Sequence, residues 1–95
     1  MLRVKLLISG SVQGVFFRQS AKLEAEKLGI VGWVKNRDDG NVEAMVEGEK
    51  AKIAEFIKWC KNGPPFAKVE KVEVEEQKGA EGGILLKLDL DKNKE

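Results

Sequence analysis

The sequence predicts an α+β domain in which an antiparallel sheet of four to five strands carries two helices on one face. Three observations lead there. Two segments place apolar residues at helical spacing, the segments around them alternate apolar and polar residues, and the elements follow the order strand, helix, strand, strand, helix, strand, with one more strand at the end. A right-handed crossover makes the first and second strands run in the same direction, and the third strand then lies between them. The 95 residues form one domain over positions 1–91, followed by a frayed tail at 92–95.

Each element has its own signal. In residues 2–9, Leu2, Val4, Leu6 and Ile8 alternate with Arg3, Lys5 and Ser9, the period of a half-buried strand, although Leu7 interrupts the polar side. Over 17–28, Phe17, Ala21, Ala25 and Leu28 share one helical face, Gln19, Lys22, Glu26 and Lys27 face water, and Gly29 stops the helix. Ile30 to Asn36 forms a second strand. Arg37-Asp38-Asp39-Gly40 supplies turn residues, and Val42, Ala44 and Val46 alternate with Glu43, Met45 and Glu47 to complete a hairpin. Ile53, Phe56, Ile57 and Cys60 follow the i, i+3, i+4, i+7 pattern of a second helix, which Gly63-Pro64-Pro65 ends. Val72 and Val74 mark a fourth strand near 68–76, with Val69 out of phase, so a bend or bulge is expected at its start. Gln77 to Gly83 reads as a loop, and Ile84, Leu86, Leu88 and Leu90 alternate with Lys87 and Asp89 in a last strand. This is the split βαβ, or ferredoxin-like, arrangement.

Composition narrows the function. Net charge is +1 and the two signs are interleaved, which argues against a nucleic-acid partner. Histidine is absent and Cys60 is the single cysteine, so His-based triads, internal disulfides and the usual transition-metal sites are excluded. No segment has the length or apolarity of a transmembrane helix, and the first ten residues are too short and too charged for a secretory signal. The expected setting is a reducing cytoplasm. Fourteen lysines and twelve glutamates, with few Asn and Gln, are compatible with a thermophilic source.

Two stretches carry chemistry. The first is GSVQGVFFR, Gly10 to Arg18, where a strand runs into a helix. A helix N-terminus presents unpaired N–H groups and partial positive charge, the glycines allow a concave backbone, and a guanidinium can hold two phosphoryl oxygens. The alternative is a plain strand-to-helix turn with Arg18 on a solvated face and Phe16 or Phe17 in the core. No Lys-Ser or Lys-Thr follows Gly14, so this is not a nucleotide P-loop. The second stretch is GWVKNRDDGNVE, Gly32 to Glu43, which by itself reads as a hairpin with Trp33 packing and Asn36 in the turn. Asp38 and Asp39 resemble an acid–base pair, but adjacent turn residues more often cap the turn, and they are assigned no catalytic role. The topology brings the ends of the first and second strands to one edge of the sheet, about 10 Å apart with one strand between them.

Together the two stretches resemble the signatures of the acylphosphatase family. Leu28-Gly29, the stretch WCKNGPPFAKVEKVEV from Trp59 to Val74, and the overall length also fit. The resemblance covers nearly the whole chain and implies a ferredoxin-like sandwich that hydrolyses acyl phosphates to a carboxylate and inorganic phosphate. It further implies Arg18 and Asn36 as catalytic residues. The phosphate loop it implies is Val12, Gln13, Gly14, Val15, Phe16 and Phe17, acting through backbone N–H groups. The chain departs from many members at Ala21, where a hydroxyl residue is common, and at Leu86, Leu88 and Leu90, where aromatics are common.

The lack of histidine is no obstacle to that reaction. The leaving carboxylate has a conjugate acid with a pKa near 4 to 5 and needs no proton. Phosphoryl transfer then rests on positioning and charge stabilisation. The expected enzyme works without metal, cofactor or covalent intermediate, as a monomer acting on a small acyl phosphate, without nucleic acid or membrane. The rival reading is a non-catalytic ferredoxin-like module that binds single-stranded nucleic acid or a protein. The third strand, Asn41 to Gly48, carries no aromatic and two glutamates, which makes a poor surface for stacking bases. Acylphosphatase-like domains also occur inside larger carbamoyl-transfer maturation proteins, against which the shortness of the chain is expected to count. Cys60 lacks any partner that would activate a nucleophilic thiol.

Overall fold

A computed structural model describes residues 1–77. The elements are β1 (Leu2–Ser11), α1 (Phe17–Leu28), β2 (Val31–Asn36), β3 (Val42–Gly48), α2 (Lys50–Asn62) and β4 (Lys68–Glu76). The strands form one sheet in the order β2-β3-β1-β4, with every neighbouring pair antiparallel. The expected position of the third strand between the first and second is therefore realised. The expected last strand, its preceding loop from residue 78 and the tail at 92–95 lie outside the described residues.

The alternation that marks the strands also sorts their side chains. Val4, Leu6 and Ile8 of β1 pair in register with Val46, Ala44 and Val42 of β3, and all six are buried. Phe17, Ala21 and Ala25 of α1 and Ile53, Phe56 and Cys60 of α2 close over this face and form one core with it. Gly29 ends α1 by donating its N–H to the carbonyls of Ala25 and Glu26. Burial in this core pushes the Cys60 thiol well above its ordinary range, chiefly through desolvation, which keeps it protonated and unreactive at neutral pH.

The expected irregularity in the fourth strand is a bulge. Ser9 pairs with Lys71 and Gly10 with Val69, so Glu70 has no opposite residue. Gly10 belongs to this feature and not to the loop that follows. A Cβ at Gly10 would run into the Lys68 carbonyl and stand 2.8 Å from the Glu70 nitrogen, which reserves the position for glycine.

The face of the sheet away from the helices departs from a simple solvated surface. Glu43 and Glu47 alternate with the core residues of β3 yet are only 7% and 2% exposed. Glu47 Oε1 accepts from Arg3 Nε at 2.9 Å and Arg3 Nη2 at 2.8 Å. Glu43 lies within 3.4 Å of Lys5, 3.8 Å of Lys35 and 3.5 Å of Arg37. Glu43 thus has cations from both neighbouring strands and Glu47 the Arg3 guanidinium of β1, which offsets part of the cost of their desolvation, although Glu47 Oε2 is buried without a hydrogen-bond partner among the described residues. Arg3→Met is expected to cost about 3–5 kcal/mol by leaving Glu47 buried without its partner, and Arg3→Met/Glu47→Met to recover most of that loss. Urea denaturation of the three proteins checks this.

Candidate active site

The loop between β1 and α1 is held at both ends by buried residues. Val12 and Phe17 are in the core, and the four residues between them must turn the chain from strand into helix. Gly14 turns it with φ 74° and open space where a Cβ would stand. Phe16 does so with φ 63° and ψ 24°, and among the described residues it is the one non-glycine with positive φ. A left-handed L-residue costs roughly 1–2 kcal/mol. Burying a phenylalanine contributes roughly 1.5–3 kcal/mol, so the anchoring of Phe17 can offset the strain beside it. The Phe17 ring lies 5.4 Å from Trp59, which stacks at 6.1 Å on Phe56, and this cluster fixes the first turn of α1 against α2. Phe17 is thus the core member of the Phe16-Phe17 pair.

The next residue, Arg18, is carried inward with this turn and is only 7% exposed. A solvated helix-face position for Arg18 is therefore excluded. The second stretch arrives from the neighbouring elements. Asn36 is the last residue of β2 and pairs with Val42 of β3. A cavity of about 140 Å³ lies where the two stretches meet, lined by Val12, Gly14, Phe16, Phe17, Arg18, Gln19 and Asn36. Six of the residues singled out in the sequence come together here. Gln13 and Val15 do not line the cavity, and Val15 packs against the core instead. Gln19 is added, a residue whose helix position pointed only to solvent.

Gln13 has a side-chain role that its sequence position did not announce. Its Nε2 donates to the Arg37 carbonyl at 2.7 Å and to the Asn41 carbonyl at 2.9 Å. These two carbonyls flank the β2–β3 turn, directly after Asn36, so one amide ties the loop of Arg18 to the hairpin of Asn36. The turn is closed further by the Arg37 N–H on the Asn41 carbonyl at 2.8 Å. Asp39 accepts the Asn41 N–H at 3.1 Å and pairs with Arg37 at 3.1 Å. The Asn41 hydrogen bond first, and Arg37 with it, holds the Asp39 carboxyl below its ordinary value. Asp39 is a turn residue held by these bonds, as expected for a cap.

The electrostatics of the cavity favour an anion. The first turn of α1 has no acidic residue and no side-chain cap, so its N–H groups and dipole add to the charge of Arg18. No group of His, Cys, Asp and Glu among the described residues could hold a metal ion. Among them, too, no helix is long and apolar enough to cross a membrane.

Fold and cavity together define a ferredoxin-like α+β domain with a pocket at one edge of its sheet, lined by Arg18, Asn36 and the turn that enters α1. The acylphosphatase family model matches residues 4–82. An acylphosphatase of Rubrobacter xylanophilus is 54% identical over 80 residues, which cover 84% of this chain and 73% of that protein. One from Pyrobaculum islandicum is 56% identical over 81 residues, covering 82% and 85%. The crystal structure of acylphosphatase from Bacillus subtilis superimposes with a TM-score of 0.87 at 41% identity, covering 95% of this chain and 98% of that one. The chain belongs to the acylphosphatase family.

Gln13→Ala is expected to lower the unfolding free energy by about 1–2 kcal/mol, the worth of its two hydrogen bonds. It should also speed amide exchange at Arg37 and Gly40, whose N–H groups close the turn, as hydrogen-exchange NMR would read.

Proposed function

We propose that this protein is an enzyme that hydrolyses acyl phosphates to a carboxylate and inorganic phosphate. The observation that carries the reading is the convergence of a buried arginine from the first turn of α1 and an asparagine from the end of β2 on one small cavity at a helix N-terminus. Membership of the acylphosphatase family supports the same reaction.

The chemistry follows from the groups present. The phosphoryl group enters the cavity, where Arg18 and backbone N–H groups of the loop between Val12 and Phe17 hold its non-bridging oxygens. The Asn36 carboxamide holds a water in line with the bond to be broken. The water oxygen attacks phosphorus, the bond between phosphorus and the acyl oxygen breaks, and its electron pair leaves on the carboxylate. That carboxylate is stable without a proton, so no general acid is needed. The proton of the attacking water passes to a phosphate oxygen of the substrate, which serves as the base. No covalent phosphoenzyme forms and no step calls on a metal, because Arg18 and the loop supply the positive potential.

The finer setting belongs to the same proposal. The buried thiol of Cys60 suits a reducing cytoplasm, and the interleaved charges suit a monomer with a small-molecule partner and no nucleic acid. Residues 1–91 act as one domain with a tail at 92–95, and the Lys/Glu composition suits a thermophilic source.

Turnover of benzoyl phosphate in the presence of a chelator tests the reading. Arg18→Ala is expected to lose about 1,000-fold or more in kcat/KM and to weaken inhibition by inorganic phosphate, since it removes a contact made in both ground and transition states. Asn36→Ala is expected to lose about 100- to 1,000-fold in kcat with KM within about three-fold, since water placement matters in the chemical step. A wild-type protein inert to acyl phosphates, or an Asn36→Ala variant with ordinary kcat, contradicts the assignment.

A further inference from the structure

Phe16 is the cavity residue whose ring neither the core nor the phosphoryl step uses. The residue is 66% exposed, its backbone sits at φ 63°, and its side chain caps nothing. Folding alone favours glycine at such an angle and a polar group at such exposure. An exposed aromatic kept on a strained backbone at the rim of a site points to a use for the ring.

The size of the cavity says what that use is. At about 140 Å³ it lies well under the roughly 300–1,000 Å³ of pockets that enclose a whole organic ligand. It takes the phosphoryl end, and the acyl end must lie at the mouth. Val12 and Phe17, the other large apolar residues of the lining, are buried, so among the described residues of the lining Phe16 is the one that offers exposed apolar surface there.

We propose that the Phe16 ring is the acyl-group contact and makes the enzyme select apolar, and above all aromatic, acyl phosphates. This rests on the acyl phosphate reading above. An aromatic acyl group packs against the ring face or edge, whereas a short one does not reach it. The contact is made equally in ground and transition states, so it acts mainly on KM.

The experiment compares kcat/KM for benzoyl phosphate and acetyl phosphate in the wild type, Phe16→Gly and Phe16→Trp. The ratio of the two substrates is the readout, so any change in loop rigidity or folded fraction cancels. The benzoyl-to-acetyl ratio is expected to fall about three- to ten-fold in Phe16→Gly and to be kept or raised in Phe16→Trp. An unchanged ratio in Phe16→Gly, or an equal fall in Phe16→Trp, overturns the role of the ring while the hydrolytic reading stands. A wild type inert to both substrates overturns the hydrolytic reading and this inference with it.

Discussion

The site depends on two buried anchors five residues apart. Val12 is buried directly after the first strand ends at Ser11, and Phe17 locks the first helical turn into the aromatic cluster with Trp59 and Phe56. Between them the chain has four residues in which to reverse. That shortness drives Gly14 and Phe16 to positive φ, leaves the helix N-terminus open toward the cavity and swings Arg18 inward. The hydrophobic gain at Phe17 is at least comparable with the backbone cost at Phe16, so core packing can support the strained geometry that the site uses.

Sheet order supplies the second half. Because β3 lies between β1 and β2, the two parallel strands end at the same edge, and the loop of Arg18 meets the hairpin of Asn36 across a single strand. Topology alone sets this only to within a strand spacing. Gln13 tightens it, since its amide bridges the carbonyls of Arg37 and Asn41. The electrostatic layer on the far face stiffens the same strands. Glu43 gathers Lys5, Lys35 and Arg37 from the neighbouring strands and the turn, and Glu47 takes Arg3.

Such a scaffold suits a reaction whose leaving group needs no help. A carboxylate departs unprotonated, so an enzyme for it can rest on a guanidinium, backbone donors and a carboxamide, all of which keep their form across the neutral range of pH. The lack of histidine is then consistent with the chemistry, and the buried, protonated Cys60 is left to packing. Where discrimination is needed, it falls to the mouth of the cavity and the ring of Phe16.

Over the described residues, the sequence by itself determined the elements and their order. Apolar periodicity is a local property, so α1 falls at Phe17–Leu28 as read, β4 carries its bulge beside Val69, and β1 differs by only two residues, running on to Ser11. The two motifs were legible through their resemblance to the acylphosphatase signatures, while read from their residues alone each kept a plain structural alternative, a strand-to-helix turn and a hairpin. Tertiary structure alone decided which of two adjacent phenylalanines is core, that Gly10 serves a strand bulge, that Glu43 and Glu47 are buried and paired, and that Gln13 spans two loops. Each of these turns on a neighbour distant in the chain. A pattern along the chain records which faces are apolar but not which far residue will stand opposite, and only packing in three dimensions sets that.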